Sequence, residues 1–197
     1  MEEHANVPGY TYGSTAVAHC PVACDDFEMM KQSVLFSDED VEYLHLSHDI
    51  LKDEIEDILD VWYDFLGSQP QLVATFAGPD GEPIGEYLAA VRQRFGQWIL
   101  DTARAEYDQR WLDYQQEIGL RHHRTKKNQT DGVSSTDIVP FRYLFLLIFP
   151  VTSTLKPFLA RKGHSAEDVE KMHAAWVKSC LLQLTLWSYP YVKDGDF

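Results

Sequence analysis

Along residues 107–122 the apolar and aromatic side chains recur at Tyr107, Trp111, Tyr114 and Ile118, steps of four, three and four that draw one stripe along a helix. A strand alternates every second residue, so this stretch has to lay a helix against a core. Four residues further on the stripe ends at His122. His123, turned by about 100° at 3.6 residues per turn, faces elsewhere with Arg121 and Arg124. Two histidines, two arginines and two lysines closing a helix are also what the negative end of the helix dipole favours. An inward imidazole is more often a hydrogen-bonded core residue than a metal ligand, and the spacing alone leaves both readings open.

The same period runs through the rest of the chain. Asp26 to Leu35 reads as a short helix, and Ser37 followed by Asp38, Glu39 and Asp40 is a helix start with acids on the positive end of the dipole. Ile55, Ile58, Leu59, Trp62 and Leu66 form an inward stripe ringed by acids and ending near Gly67. A helix over about 83–105 buries Leu88, Val91, Phe95, Trp98 and Ile99, and Arg92 and Arg94 lie on its polar side. After a polar loop over 125–137, residues 140–157 are apolar nearly all round. That pattern predicts one helix buried on more than one side and bent at Pro150. Ser165 with Asp168 caps a last helix to about Ser188. The fold class is all-α, with six to eight helices and no strand, preceded by an irregular arm over residues 1–24.

Composition removes several function classes. A net charge of −14, with basic residues concentrated only at 121–127, argues against nucleic acid or an anionic membrane as partner. The longest apolar run, residues 143–151, falls well short of the ~20 residues a membrane helix needs. The N-terminus lacks a basic stretch followed by an apolar core, so the expected location is the cytoplasm. Three cysteines, Cys20, Cys24 and Cys180, fit a reducing compartment, and a zinc site from His19, Cys20 and Cys24 lacks a fourth ligand with the usual spacing.

Several stretches together carry a family resemblance over nearly the whole chain. They are residues 8–13 (PGYTYG), Trp62-Tyr63 with Gly67-Ser68, 87–95 (YLAAVRQRF), 98–102 (WILDT), 111–115 (WLDYQ), 117–127 (EIGLRHHRTKK), 156–164 (KPFLARKGH) and 187–191 (WSYPY). In these the chain resembles the protoglobins, single-domain haem proteins of the globin superfamily related to the globin part of globin-coupled sensors. The resemblance implies a globin fold over residues 25–197, with an extra short helix before the globin core. The arm over 1–24 would cover the haem edge and bury the propionates.

It also implies that His122 is the proximal ligand of the iron of a haem b, held without a covalent attachment motif. Trp62, Tyr63 and Phe95 would build the gas-binding pocket, closed by Leu147 where the family carries Phe. Tyr114, from the stripe that leads to His122, and Arg94, whose guanidinium suits a propionate carboxylate, complete the expected cofactor contacts. Tyr63 is the one hydroxyl donor expected near a bound gas. Phe145, Leu146, Ile148 and Phe149, with Val177, Leu181 and Leu182, are expected to hold a homodimer.

Three functions compete at this stage. The first is reversible binding of O₂, CO or NO, for gas sensing, binding or detoxification. The second is enzymatic use of the same open iron, as in NO dioxygenation, nitrite reduction or peroxidase chemistry. The third is a haem-free helical module that binds a partner. A sensor without a second domain would signal through a separate protein, and an enzyme without a flavin or nucleotide motif would need an outside reductase.

Overall fold

The computed structural model describes residues 7–193 and 195–197. Among them are nine α-helical segments and no strand: α1 (Cys24–Ser33), α2 (Asp38–Leu51), α3 (Ile55–Gly67), α4 (Pro70–Val73), α5 (Gly85–Arg104), α6 (Gln109–His122), α7 (Phe141–Leu146), α8 (Ile148–Leu159) and α9 (Ala166–Ser188). Helix starts follow local chemistry. The Asp40 carboxylate reaches back to accept from the Ser37 N–H at 2.8 Å, and Ser165 Oγ accepts from the Asp168 N–H at 3.1 Å, each satisfying an orphan donor of a first turn. Asp108 caps α6 by accepting from the Trp111 N–H at 2.9 Å. Tyr107 therefore precedes the helix, and its ring packs edge-on against Trp111 at 4.8 Å.

α9 runs through the centre of the molecule, packed on α2, α6, α7 and α8, and α5 lies across α2 and α3. Its Trp176 is fully buried and donates through Nε1 to Ser47 Oγ at 2.9 Å. Trp98 of α5 donates to Gln183 Oε1 of α9 at 2.6 Å. Both indoles bury a large ring without leaving an N–H unpaired.

α6 and α9 meet at Gly119, where an added Cβ would lie 3.0 Å from Trp187 Cα and 3.1 Å from its carbonyl oxygen. Backbone cannot swing aside as a side chain can. Alanine is the better helix former by about 1 kcal/mol, whereas forcing a methyl into packed space costs about 1–3 kcal/mol. Gly119→Ala is therefore expected to lower stability by up to about 2 kcal/mol in urea unfolding. A gain would show that the two helices separate freely.

The apolar segment over 140–157 departs from the expected single helix. It breaks at Leu147 into α7 and α8, three residues ahead of Pro150. A proline ring collides with the carbonyl four residues back, here that of Leu146, and supplies no N–H to bond it. Pro150 therefore sits in the first turn of α8, where its missing donor costs nothing. Nor is the segment buried on several sides. Leu144, Leu155, Phe158 and Leu159 are buried, but Leu146 is 65% and Phe149 77% exposed, with Phe141 and Phe145 also at the surface. Of the expected dimer face, Leu182 belongs to the core at 1% exposure and Ile148 lines an internal cavity, because their positions on the helices turn them inward.

The arm expected over 1–24 is described from residue 7; its first six residues lie outside the described part. It is tied to α5 and α6 through polar contacts. Arg121 donates to Gly9 O at 2.6 Å and Thr11 Oγ1 at 3.0 Å, Arg94 donates to Pro8 O at 3.1 Å, and Tyr10 OH donates to Asp101 Oδ2 at 2.7 Å. Gly9 has φ +76°, and a Cβ there would lie 2.8 Å from Arg94 Nη1. Only glycine takes that conformation so close to a guanidinium without strain.

Candidate functional site

A cavity of about 280 Å³ lies among α3, α5, α6, α8 and α9. The structure places all seven residues singled out from the sequence on its wall: Trp62 and Tyr63 from α3, Arg94 and Phe95 from α5, Tyr114 and His122 from α6, and Leu147 from the break between α7 and α8.

His122 is fixed from two sides. Its Nδ1 lies 2.8 Å from the Ile118 carbonyl oxygen, which can only accept, so Nδ1 carries the proton and Nε2 keeps a free lone pair. The Trp187 indole stacks on the imidazole at 5.4 Å with 13° between planes, and that indole is itself anchored by donating to Gln115 Oε1 at 2.8 Å. Burial pushes the His122 pKa below its ordinary value, outweighing the Ile118 hydrogen bond that raises it. The side chain is thus a neutral imidazole, the form that ligates a metal. His123 does not line the cavity; its Nδ1 lies 2.7 Å from Thr125 Oγ1 and its ring meets Tyr191 edge-on.

α3 and α5 contribute an aromatic wall. Trp62 contacts Phe95 at 5.7 Å, and Phe95 stacks on Trp98 at 5.2 Å. Burial pushes the Tyr63 pKa well up, so the hydroxyl stays protonated, and it makes no hydrogen bond to the protein among the described residues. Tyr63 is not alone, however, in bringing a hydroxyl to the cavity. Tyr10, Tyr87, Tyr114 and Tyr143 also line it, although the Tyr10 hydroxyl is committed to Asp101.

The opposite character appears where α5, the end of α6 and the following loop meet. Arg94 forms a bidentate pair with Asp131 at 2.7 and 3.0 Å, rather than standing at the surface as an unpaired side chain of a polar face. Arg121 and Lys126 share Glu117, at 2.9 and 2.6 Å. Burial works to raise the Glu117 pKa, but these two hydrogen bonds prevail and hold it below the usual value. Lys127, 7% exposed, completes the set. Four cations thus gather here in a chain whose net charge is −14; Asp131 and Glu117 pair with three of them, and Asp137 acts on the fourth from further off.

Sequence reasoning missed Lys127 and Trp187 as wall residues. Trp187 shows in the sequence as part of the last helix's apolar stripe, whereas nothing local separates Lys127 from the cations that close α6. Away from the cavity, Cys20 is buried and Cys24 exposed, both as free thiols. No group of three or more potential metal-ligating side chains, and no helix long and apolar enough to cross a membrane, occurs among the described residues.

Comparison with known proteins adds two findings. A family model described as Protoglobin matches residues 24–197. The globin domain of the Geobacter sulfurreducens globin-coupled sensor is similar in structure, with a TM-score of 0.60 and 19% identity over 84% of this chain and 97% of that domain. At that identity the likeness concerns the fold, which is that of a globin. No curated protein matches.

Proposed function

The chain belongs to the protoglobin family, and from that premise we propose that it holds haem b non-covalently through His122 and binds O₂, CO or NO at the same cavity. The observation that carries this reading is His122 itself. It is a neutral imidazole with Nδ1 committed to Ile118 and its ring clamped by Trp187, on the wall of a cavity that is aromatic on one side and cationic on another. The donor set fits the cofactor: an apolar slot suits a flat macrocycle, and the cationic side of the cavity suits its two propionates. When bound, the group supplies an iron with one imidazole ligand and one open position for a diatomic gas.

The protein's own residues do the rest. Ile118 and Trp187 orient the ligand, Trp62 and Phe95 exclude water, Leu147 leaves more room than the family's Phe, and Tyr63 offers a hydrogen bond to whatever enters. Arg94 would share its guanidinium between Asp131 and a propionate. The arm from residue 7 onward, with Tyr10 on the cavity wall, would cover the cofactor's edge. A cytoplasmic location is part of this proposal, supported by the free thiols of Cys20, Cys24 and Cys180. An absorption spectrum of the purified, reduced protein with and without O₂ and CO tests the function. Failure to take up added haem overturns it.

The exposed apolar flank suggests a homodimer. Phe141, Phe145, Leu146 and Phe149 of α7 and α8 and Leu181 of α9 leave large apolar side chains in water, and covering one such residue contributes about 1.5–3 kcal/mol. Phe149→Asp is expected to shift light scattering from dimer toward monomer at micromolar concentration, with the fold intact. A wild-type monomer under those conditions, or an unaffected dimer in the variant, refutes this face.

A further inference from the structure

Arg94, Arg121 and Lys126 each have a carboxylate within 3 Å, whereas Lys127, the most buried of the four cations, has none among the described residues. Its Nζ donates to Thr75 O and Asn128 Oδ1, both at 3.1 Å, and lies 5.3 Å from the Tyr87 ring centre. Among the described residues the third N–H has no acceptor. The Thr75 carbonyl is also shared, since Ser135 Oγ donates to it at 2.9 Å and Thr136 Oγ1 at 3.4 Å.

Two neutral acceptors and a ring face do not replace the hydration of an ammonium, and a buried charge without a counter-ion is costly. Burial accordingly lowers the Lys127 pKa to about 8, against the influence of Asp137. The backbone holds the residue in place all the same: the Lys127 N–H donates to His123 O at 3.0 Å, which ties it to the turn that ends α6 beside His122. The side chain lines the cavity. A cation that is desolvated, rigidly placed, short of one acceptor and turned to a cavity is a site for an anion.

We propose that Lys127 is the carboxylate anchor of this cavity, pairing its ammonium with one propionate of the bound cofactor. The inference rests on the haem reading above and goes further by assigning one charge of the cofactor to one side chain. Tyr87 and Thr75 then act as positioning residues for the ammonium. Arg94, already sharing a carboxylate, serves the second propionate.

The test compares protohaem with its dimethyl ester, in which both propionates are neutral. Wild type, Lys127→Met and Lys127→Gln are reconstituted with each, and the rate of cofactor loss to an excess of a haem-scavenging protein is followed by absorbance. Both variants should release protohaem about ten- to a hundred-fold faster than wild type, the span expected for a hydrogen bond to a charged group. Their release of the ester should match wild type. Gln retains a donor for Thr75, so the comparison stands on that variant if Met fails to fold. Equal acceleration of both cofactors, or no change in either, overturns the assignment by showing a packing role or none. Wild type that takes up neither cofactor would refute the haem reading itself, a result separate from the first two.

Discussion

His122→Ala is expected to abolish the five-coordinate ferrous haem spectrum, and His123→Ala to leave it unchanged. The two residues are adjacent in sequence, so charge, helix position and local propensity are nearly matched between them. They differ in phase. His122 lines the cavity with its ring stacked on Trp187, while His123 leaves α6 as its C-terminal cap and turns toward Thr125 and Tyr191. Truncation to alanine removes the imidazole but leaves its slot, bounded by the Trp187 indole that remains tied to Gln115. Free imidazole should enter that slot and restore part of the spectrum. The reverse pattern, with His123→Ala losing the cofactor, would overturn the assignment, and loss in both variants without rescue would show that the end of α6 matters only for folding.

The features legible in the sequence were those set by local chemistry or by helical phase. Ser165 with Asp168 and Ser37 with Asp40 mark helix starts because the capping partners lie within one turn. The stripe through Trp111, Tyr114 and Ile118 turned His122 inward, because a helix of fixed pitch leaves it no other face. Features decided at a distance were not legible. Pro150 causes the break, but it shows at Leu147, because the ring excludes the Leu146 carbonyl four residues back. Lys127 reads as one more cation closing a helix until Thr75, some fifty residues earlier, and Tyr87 fold over it. The pairing of Arg94 with Asp131 was not legible either, because Asp131 sits in a loop with no period.

Tyr63→Phe is expected to speed O₂ release and leave CO release nearly unchanged. Tyr63 comes from α3, a different helix from the one bearing His122, so its loss should not loosen the cofactor. Its ring is placed without help from the hydroxyl: the Arg92 guanidinium lies 5.6 Å from the ring centre and is itself tied to Glu56 and Asp60 at 2.9 and 2.8 Å. Phenylalanine can therefore occupy the same position. The hydroxyl has no protein acceptor among the described residues, and burial keeps it protonated, so its donor is free for a ligand in the cavity. Bound dioxygen would be the good acceptor of such a bond, and carbon monoxide the poor one. A hydrogen bond to a charge-bearing group is worth about 1.5–3 kcal/mol, which at about 1.4 kcal/mol per decade corresponds to roughly ten- to a hundred-fold in O₂ dissociation rate. Stopped-flow dissociation of both gases from wild type and variant measures this. Equal changes for the two gases would mean that Tyr63 acts by packing. No change in either would pass the donor role to another hydroxyl on the wall, such as that of Tyr87, Tyr114 or Tyr143.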